Sequence, residues 1–129
     1  MKTKLRKTDR LFRQYILRFY NYTCARCHTR YAPDNCRGLH VSHYWSRSRE
    51  NTRFDIENVS LLCYGCHIAW GHGDQRDEYT DHMRTKLGER RFEMLRARAH
   101  TYKRRDDKLD EVAIKEMLKE LEKTDGKIR

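Results

Sequence analysis

Two short motifs, CARCH at Cys24–His28 and CYGCH at Cys63–His67, contain the side chains of this sequence that are best suited to metal chemistry. A Cys-x-x-Cys pair followed at once by histidine is typical of covalent haem attachment. The same pair also supplies two thiolates to a zinc ion from one tight turn. The motifs therefore raise two interpretations, a two-haem protein and a protein organised around zinc.

Zinc is the interpretation that the composition favours. Two pairs, formed by Cys24 with Cys27 and by Cys63 with Cys66, complete a tetrahedral set of four sulfurs with no open position, as in structural zinc sites. Two haems would need apolar surroundings, whereas 37% of the residues are charged and the mean hydropathy is −1.09. Cys36 remains outside the pairs, and we expect it to be a small side chain near the zinc loop.

A second site is expected between the two cysteine pairs, because this segment is longer than a plain zinc ribbon requires. His43 lies in LHVSHYW, whose alternation of bulky and polar residues predicts a strand over residues 39–45. Asn58 precedes VSLLC, a second predicted strand, and His67 directly follows the last cysteine. The order of these three polar residues is His–Asn–His.

The segments LHVSHYW and IENVSLLCYGCH, together with the paired cysteines, resemble the HNH endonuclease superfamily, whose ββα-metal finger runs strand, loop, strand, helix. The stretch SHYWSRSRENTRFDIENVSLLC is most similar to the phage group that includes the NinG/Rap recombination nucleases. The resemblance covers about residues 20–105. It implies a metal-dependent endonuclease of phage DNA metabolism, which hydrolyses DNA phosphodiester bonds and leaves 5′-phosphate and 3′-hydroxyl ends.

The resemblance also implies a role for each member of the His–Asn–His set. His43 would be the general base that deprotonates water, and a neutral imidazole suits that role at neutral pH. Asn58 would fix the loop and orient the His43 imidazole. His67 would ligate one catalytic divalent cation, Mg²⁺, Mn²⁺ or a similar ion.

One position departs from the family pattern. The residue before the general-base histidine is commonly Asp or His and ligates the metal, and here it is Ser42, a poor neutral ligand. His40 would share a strand face with Ser42 and could replace it. His72 is another candidate, although either histidine could equally be a surface residue. The expected consequence is weak metal binding, or a preference for softer ions that accept imidazole.

The net charge of +10, with a pI near 9.6, predicts a polyanionic partner, and nucleic acid is the commonest one. Arginines in the connection between the strands and on a later helix would bind phosphates through their guanidinium forks, unless they are only a solvated basic surface. These candidates are Arg47, Arg49, Arg53, Arg90 and Arg91. No element that would read bases is visible, so we expect cleavage with little sequence specificity.

The elements that must position these residues predict an α+β, mostly helical fold: a small ββα-metal finger with structural zinc, flanked by an N-terminal helix and C-terminal helices. We expect one nuclease domain over residues 1–129. It would comprise an N-terminal helix (1–22), a zinc-bound core (23–73), basic helices (74–105) and an amphipathic C-terminal helix with a tail (106–129).

Helical periodicity predicts the first helix at residues 9–22, with Asp9 as its N-cap. Gly88 is expected to separate two helices, because glycine is favoured just past a helix end. The apolar stripe of the last helix would pack on the body or on a partner chain, which leaves a homodimer open.

No segment of about 18 apolar residues is present, so neither a membrane span nor a membrane partner is expected. The basic start MKTKLRKTDR is followed by the interrupted stretch LFRQYILRFYNY, which does not fit a signal peptide. We therefore expect a cytoplasmic protein, in a bacterial host if it is phage-encoded, that acts on DNA by nicking or double-strand cleavage and takes no small-molecule substrate. The alternative is a non-catalytic zinc-binding DNA-binding module, with Ser42 marking a lost site.

Overall fold

The computed structural model describes residues 4–128 and has an α+β, mostly helical architecture, as the sequence predicts. The regular elements in chain order are α1 (Lys7–Phe19), β1 (Leu39–His43), β2 (Val59–Cys63), α2 (Tyr64–His67), α3 (Arg76–Ala99) and α4 (Asp107–Ile128). Two short 3₁₀ turns, Glu50–Thr52 and Ile56–Asn58, lie in the connection between the strands, and a π-helical turn, Ile68–His72, follows α2.

The two strands form an antiparallel hairpin that places the predicted site residues. The register runs without a bulge from Leu39 opposite Cys63 to His43 opposite Val59. The first strand is two residues shorter than predicted. The amide of Tyr44 still donates to the backbone carbonyl of Asn58, at 2.8 Å, but the amide of Trp45 donates to the Asn58 side chain instead of to a backbone partner.

Helix α1 begins at Lys7, with Arg6 at its N-cap, so the prediction of Asp9 as the cap is wrong. Asp9 is instead the third helical residue, and its carboxylate accepts a hydrogen bond of 2.7 Å from the backbone amide of Arg6. The helix ends at Phe19, three residues before the predicted end. Asn21 and Tyr22 adopt left-handed backbone conformations, with φ of 52° and 55°, which stop the helix.

The C-terminal helices cover the hairpin and α1. Gly88 breaks α3 into two helical parts, with φ of 78° and ψ of 159°, as its position in the sequence predicts. The second part ends at Ala99, and α4 packs along α1 and buries Ile114. The apolar stripe of the last helix therefore packs on the body of the protein, and the helix continues to Ile128 through most of the expected tail.

Within residues 4–128, no helix combines the length and the apolar character needed to cross a membrane.

The backbone of Gly88 generates a stability prediction. A Cβ at this position would meet no atom within 4 Å, so any cost of Gly88→Ala is due to the backbone conformation alone. Its φ and ψ lie in a region reserved for glycine, and we expect the substitution to lower the free energy of unfolding by about 1–3 kcal/mol in urea titrations.

Gly65→Ala is the matched control, since Gly65 also has open space around it but no positive φ. This control should be neutral or slightly stabilising, because alanine favours a helix over glycine. Equal effects of the two substitutions would contradict the assigned role of Gly88.

Candidate functional site

The first cysteine pair lies in a tight turn that is tied to the hairpin. The amide of Cys24 donates to the carbonyl of Thr29 at 2.9 Å, and the amide of His28 donates back to the carbonyl of Cys24 at 2.9 Å. The amide of Ala25 donates to the carbonyl of Leu61 in β2 at 2.8 Å. The turn therefore presents its two thiols beside the end of β2.

The second pair completes a cluster of four sulfurs, the cysteine tetrad of Cys24, Cys27, Cys63 and Cys66. Cys63 is the last residue of β2 and Cys66 lies in α2. All four Sγ atoms lie within 4.8 Å of one another, and those of Cys27 and Cys63 are 3.8 Å apart. A zinc ion with Zn–S bonds of about 2.3 Å requires sulfurs about 3.8 Å apart at tetrahedral angles. The tetrad is positioned to hold a metal ion and is compatible with structural zinc.

The same geometry argues against two haems, since the two motifs converge on one shared cluster and cannot each surround a porphyrin. Cys36 lies outside the tetrad, where its Sγ contacts the carbonyl of Pro33 at 3.4 Å.

The thiols of the tetrad differ in acidity. Burial raises the pKa of Cys66 to about 12, whereas hydrogen bonds with Thr29 lower the pKa of the exposed Cys27 to about 6. A divalent cation would hold all four sulfurs as thiolates. Arg26, which sequence reasoning missed, donates to the sulfur of Cys66 at 3.6 Å and pairs with Glu78 of α3 at 2.8 Å. Its position between two cysteines was the available signal.

A cavity of about 260 Å³, the histidine cavity, lies between α1, β1 and the residue after Cys66. It brings together His40, His43 and His67, three of the residues that the sequence singled out. The charged side chains that line it are Asp9, Arg10, Arg13 and Arg47.

The ring of His43 is held by a main-chain oxygen. Its Nε2 lies 2.8 Å from the carbonyl oxygen of Arg53, and since a carbonyl only accepts, Nε2 carries the proton in the neutral ring. The Nδ1 atom is then the basic atom. Burial lowers the pKa of His43 to about 4. The hydrogen bond to the Arg53 carbonyl acts in the opposite direction and raises the pKa, whereas the charge of Arg47 lowers it further. His43 is therefore neutral at pH 7.

Asn58 fixes the connection between the strands, and its hydrogen bonds are to the loop backbone and not to the His43 ring. Its fully buried side chain accepts from the amide of Trp45 at 2.9 Å and donates to the carbonyls of Trp45 and Thr52, both at 3.0 Å. Thr52 directly precedes Arg53, whose carbonyl oxygen binds His43. Asn58 therefore acts on the position of the His43 ring indirectly, through the backbone of the loop.

His67 is the centre of a group of three imidazoles. The ring centroids of His40 and His67 are 5.3 Å apart, and those of His67 and His72 are 5.2 Å apart. The Nδ1 atom of His67 is buried without a hydrogen-bond partner. Burial lowers the pKa of His67 to about 4, with smaller contributions from His40 and His72, so the His67 ring is suited to bind a metal as a neutral ligand.

Two observations restrict the predicted ligands of a catalytic cation. Ser42 is 1% exposed, accepts a hydrogen bond of 3.1 Å from the hydroxyl of Tyr79, and does not line the histidine cavity. In the described part of the chain, only the cysteine tetrad forms a group of three or more His, Cys, Asp or Glu side chains with ligand atoms within 4.8 Å. Of the two tentative ligands, His40 faces the cavity and Ser42 does not.

The predicted DNA-contact arginines divide into two groups. Arg47 lines the histidine cavity and Arg90 is exposed on α3. Arg53 is fully buried against Asp9, which removes it from the surface that could contact DNA. Arg49 donates to the carbonyl of Ala99 at 3.2 Å, and Arg91 is hydrogen-bonded to Glu57.

A further arginine strengthens this attachment of the loop to α3. Arg98 binds Asp55 and Glu57, both at 2.9 Å, and its backbone carbonyl accepts from the side chain of Asn51 at 3.0 Å. The loop arginines and loop acids therefore mainly hold the protein together.

Sequence reasoning missed Arg10 and Arg13 of α1 as cavity residues. Arg13 donates to the carbonyls of Leu39 and Cys36, at 2.6 and 3.1 Å, and Arg10 is exposed at the cavity. Their spacing of three residues puts them on one face of a helix, but no local pattern indicates that this face meets β1.

Comparison of the chain with known protein families, with curated proteins and with solved structures finds no match.

The tetrad predicts a stoichiometric zinc ion. We expect one zinc per chain by elemental analysis, and Cys66→Ser should lose both the zinc and the cooperative thermal unfolding transition, since structural zinc contributes about 10–16 kcal/mol in small domains. Cys36→Ser is the control and should keep its zinc. Wild-type protein that unfolds at the same temperature with and without a chelator would contradict a structural metal.

The half-buried ring of His43 predicts a specific pH dependence. The unfolded chain takes up a proton on His43 below about pH 6.5, whereas the folded protein does so only near pH 4. The contribution of neutral His43 is therefore complete above about pH 6.5 and is lost as the pH falls toward 4. Between pH 7 and pH 5 the loss is about 2 kcal/mol.

His43→Gln isolates this contribution, because glutamine does not titrate and other pH effects are shared. Urea unfolding with saturating zinc at both pH values measures it. A difference between wild type and variant that is the same at pH 7 and pH 5 would refute the assignment.

Proposed function

We propose that the protein is a metal-dependent endonuclease of the HNH type, which hydrolyses DNA phosphodiester bonds with little sequence specificity. One observation carries the proposal: His43, held by the carbonyl oxygen of Arg53, shares a cavity with three arginines and with His67, the last residue of the helix that follows the hairpin. The order strand, loop, strand, helix and the cysteine tetrad support the same conclusion.

In the proposed reaction, Nδ1 of His43 accepts a proton from water as the water oxygen forms a bond to phosphorus. The bond from phosphorus to the 3′ oxygen breaks, and that oxygen leaves as a hydroxyl after it takes up a proton from solvent. A divalent cation bound by His67, with His40 beside it, would stabilise negative charge on the phosphate and the leaving oxygen. The products are a 5′-phosphate and a 3′-hydroxyl.

The charge of the cavity supports a phosphate as its ligand. Arg10, Arg13 and Arg47 line it, and its single acid, Asp9, is already bound to the buried Arg53. An entering phosphodiester would place a negative charge near His43 and raise its pKa from about 4 toward neutrality, which makes the imidazole a stronger base.

The cysteine tetrad supports the site mechanically. Cys66 and His67 are consecutive, so a zinc ion that fixes Cys66 also fixes the backbone from which the His67 ring extends. The zinc site is closed by four sulfurs and serves the structure, whereas the cation for catalysis would be a second ion.

A non-catalytic zinc-binding DNA-binding module is the second candidate. Two observations favour it: Ser42 is turned away to Tyr79, and no three ligand atoms converge at the histidine cavity in the described residues. This candidate keeps the basic surface and the zinc but has no hydrolytic chemistry.

Conversion of supercoiled plasmid to open circle separates the two candidates. We expect nicking with Mg²⁺, Mn²⁺ or a softer divalent ion, none with EDTA, and a rate at least about 100-fold lower in His43→Ala, because the general base is lost. His100→Ala is the control, since His100 is an exposed histidine outside the cavity. Plasmid binding without nicking under every ion would establish the DNA-binding module instead.

A further inference from the structure

The loop residue that holds His43 is itself held by a buried ion pair with α1. The guanidinium of Arg53 donates to Asp9 twice, from Nε to Oδ1 at 3.0 Å and from Nη2 to Oδ2 at 2.5 Å. Arg53 is 0% exposed and Asp9 is 9% exposed. A buried, two-point pair of this kind fixes the orientation of both side chains.

The remaining donors of Arg53 extend the same attachment. Nη1 donates to the carbonyl of Arg47 at 2.9 Å, and Nη2 also donates to the carbonyl of Lys4 at 3.2 Å. The one side chain therefore joins the early part of the loop, the N-terminal segment and α1. Its own backbone carbonyl is the group that binds Nε2 of His43.

Both carboxylate oxygens of Asp9 accept hydrogen bonds, three in all. Its Oδ2 accepts from the backbone amide of Arg6, in addition to the two bonds from Arg53. Burial alone would raise the pKa of Asp9, but the bonds from Arg53 and Arg6 outweigh it and lower the pKa. Asp9 stays ionised and lines the histidine cavity together with His43.

We infer that Asp9 is a positioning residue for His43: through the buried Arg53 it holds the carbonyl oxygen that keeps the proton of His43 on Nε2 and leaves Nδ1 directed at the substrate. The inference rests on the proposed function for its kinetic consequence only. The orientation and tautomer of His43 are properties of the protein without substrate.

The test uses the full-length, zinc-loaded protein and two readouts. Long-range ¹H–¹⁵N spectra report which ring nitrogen of His43 carries the proton, and single-turnover nicking is measured beside DNA affinity. Wild type should show the Nε2–H tautomer. In Asp9→Asn we expect a mixture of tautomers and a nicking rate about 10- to 100-fold lower, with DNA affinity changed less than twofold.

Gly88→Ala is the matched control, because it should destabilise the protein without a contact to the loop or to Asp9. Its His43 signals and its nicking rate should equal those of wild type at temperatures where the protein is folded. If Asp9→Asn does not fold, Arg53→Lys provides the second variant, since lysine keeps the charge but lacks the two-point fork. It should show the same change of tautomer.

Three outcomes would overturn the inference: a wild-type His43 protonated on Nδ1, wild-type His43 signals in the Asp9→Asn or Arg53→Lys variant, or a wild-type nicking rate in a folded variant. Failure of the proposed function is distinguishable, because a wild type that never nicks leaves the spectroscopic result intact. In that case a change of tautomer would still support the positioning role of Asp9.

Discussion

The requirement that four sulfur atoms share one small space is the constraint on which the rest of this structure depends. For the four sulfurs to meet, the turn at Cys24 and the end of β2 must lie side by side. This fixes both ends of the segment between the two cysteine pairs. The metal that the tetrad can hold would link the turn after α1, the end of the hairpin and α2. This link would fix the position of the hairpin that lies between the cysteine pairs.

Charge in this protein serves two purposes that composition alone does not separate. The excess of basic residues is what a nucleic-acid partner would require, yet Arg53, Arg98 and Arg26 are bound to carboxylates of the same chain. Two of the arginines that line the histidine cavity come from α1, which is remote in sequence from the histidines of β1. The ion pairs within the chain therefore limit which basic residues are left for a polyanionic partner of the kind proposed.

The patterns with short-range causes were predictable from the sequence. The two Cys-x-x-Cys pairs, the alternation in LHVSHYW and the glycine at 88 each follow from local geometry, and the structure has the tetrad, the hairpin and the break where they predict them. The family resemblance indicated Asn58 as the residue that fixes the loop, and its side chain does bond the loop backbone at Trp45 and Thr52.

The features that could not be predicted from the sequence have long-range causes. The burial of Arg53 depends on Asp9, which is remote along the chain, and the orientation of Ser42 depends on Tyr79 of a later helix. No local pattern contains such partners. The end of α1 was predicted at the wrong residue for a different reason. Left-handed backbone, as at Asn21 and Tyr22, is uncommon for residues other than glycine.

The many attachments of the loop between the strands have an energetic consequence for binding. Asn58 donates a hydrogen bond to the loop backbone, and Asp9 of α1 is paired with Arg53 of the loop. Arg98 in the last turn of α3 binds a loop carboxylate. A loop fixed in this way has already lost its conformational entropy during folding, at a cost of about 1–2 kcal/mol for each ordered residue. A ligand that enters the histidine cavity therefore does not have to order this wall, and more of its contact energy is retained as affinity.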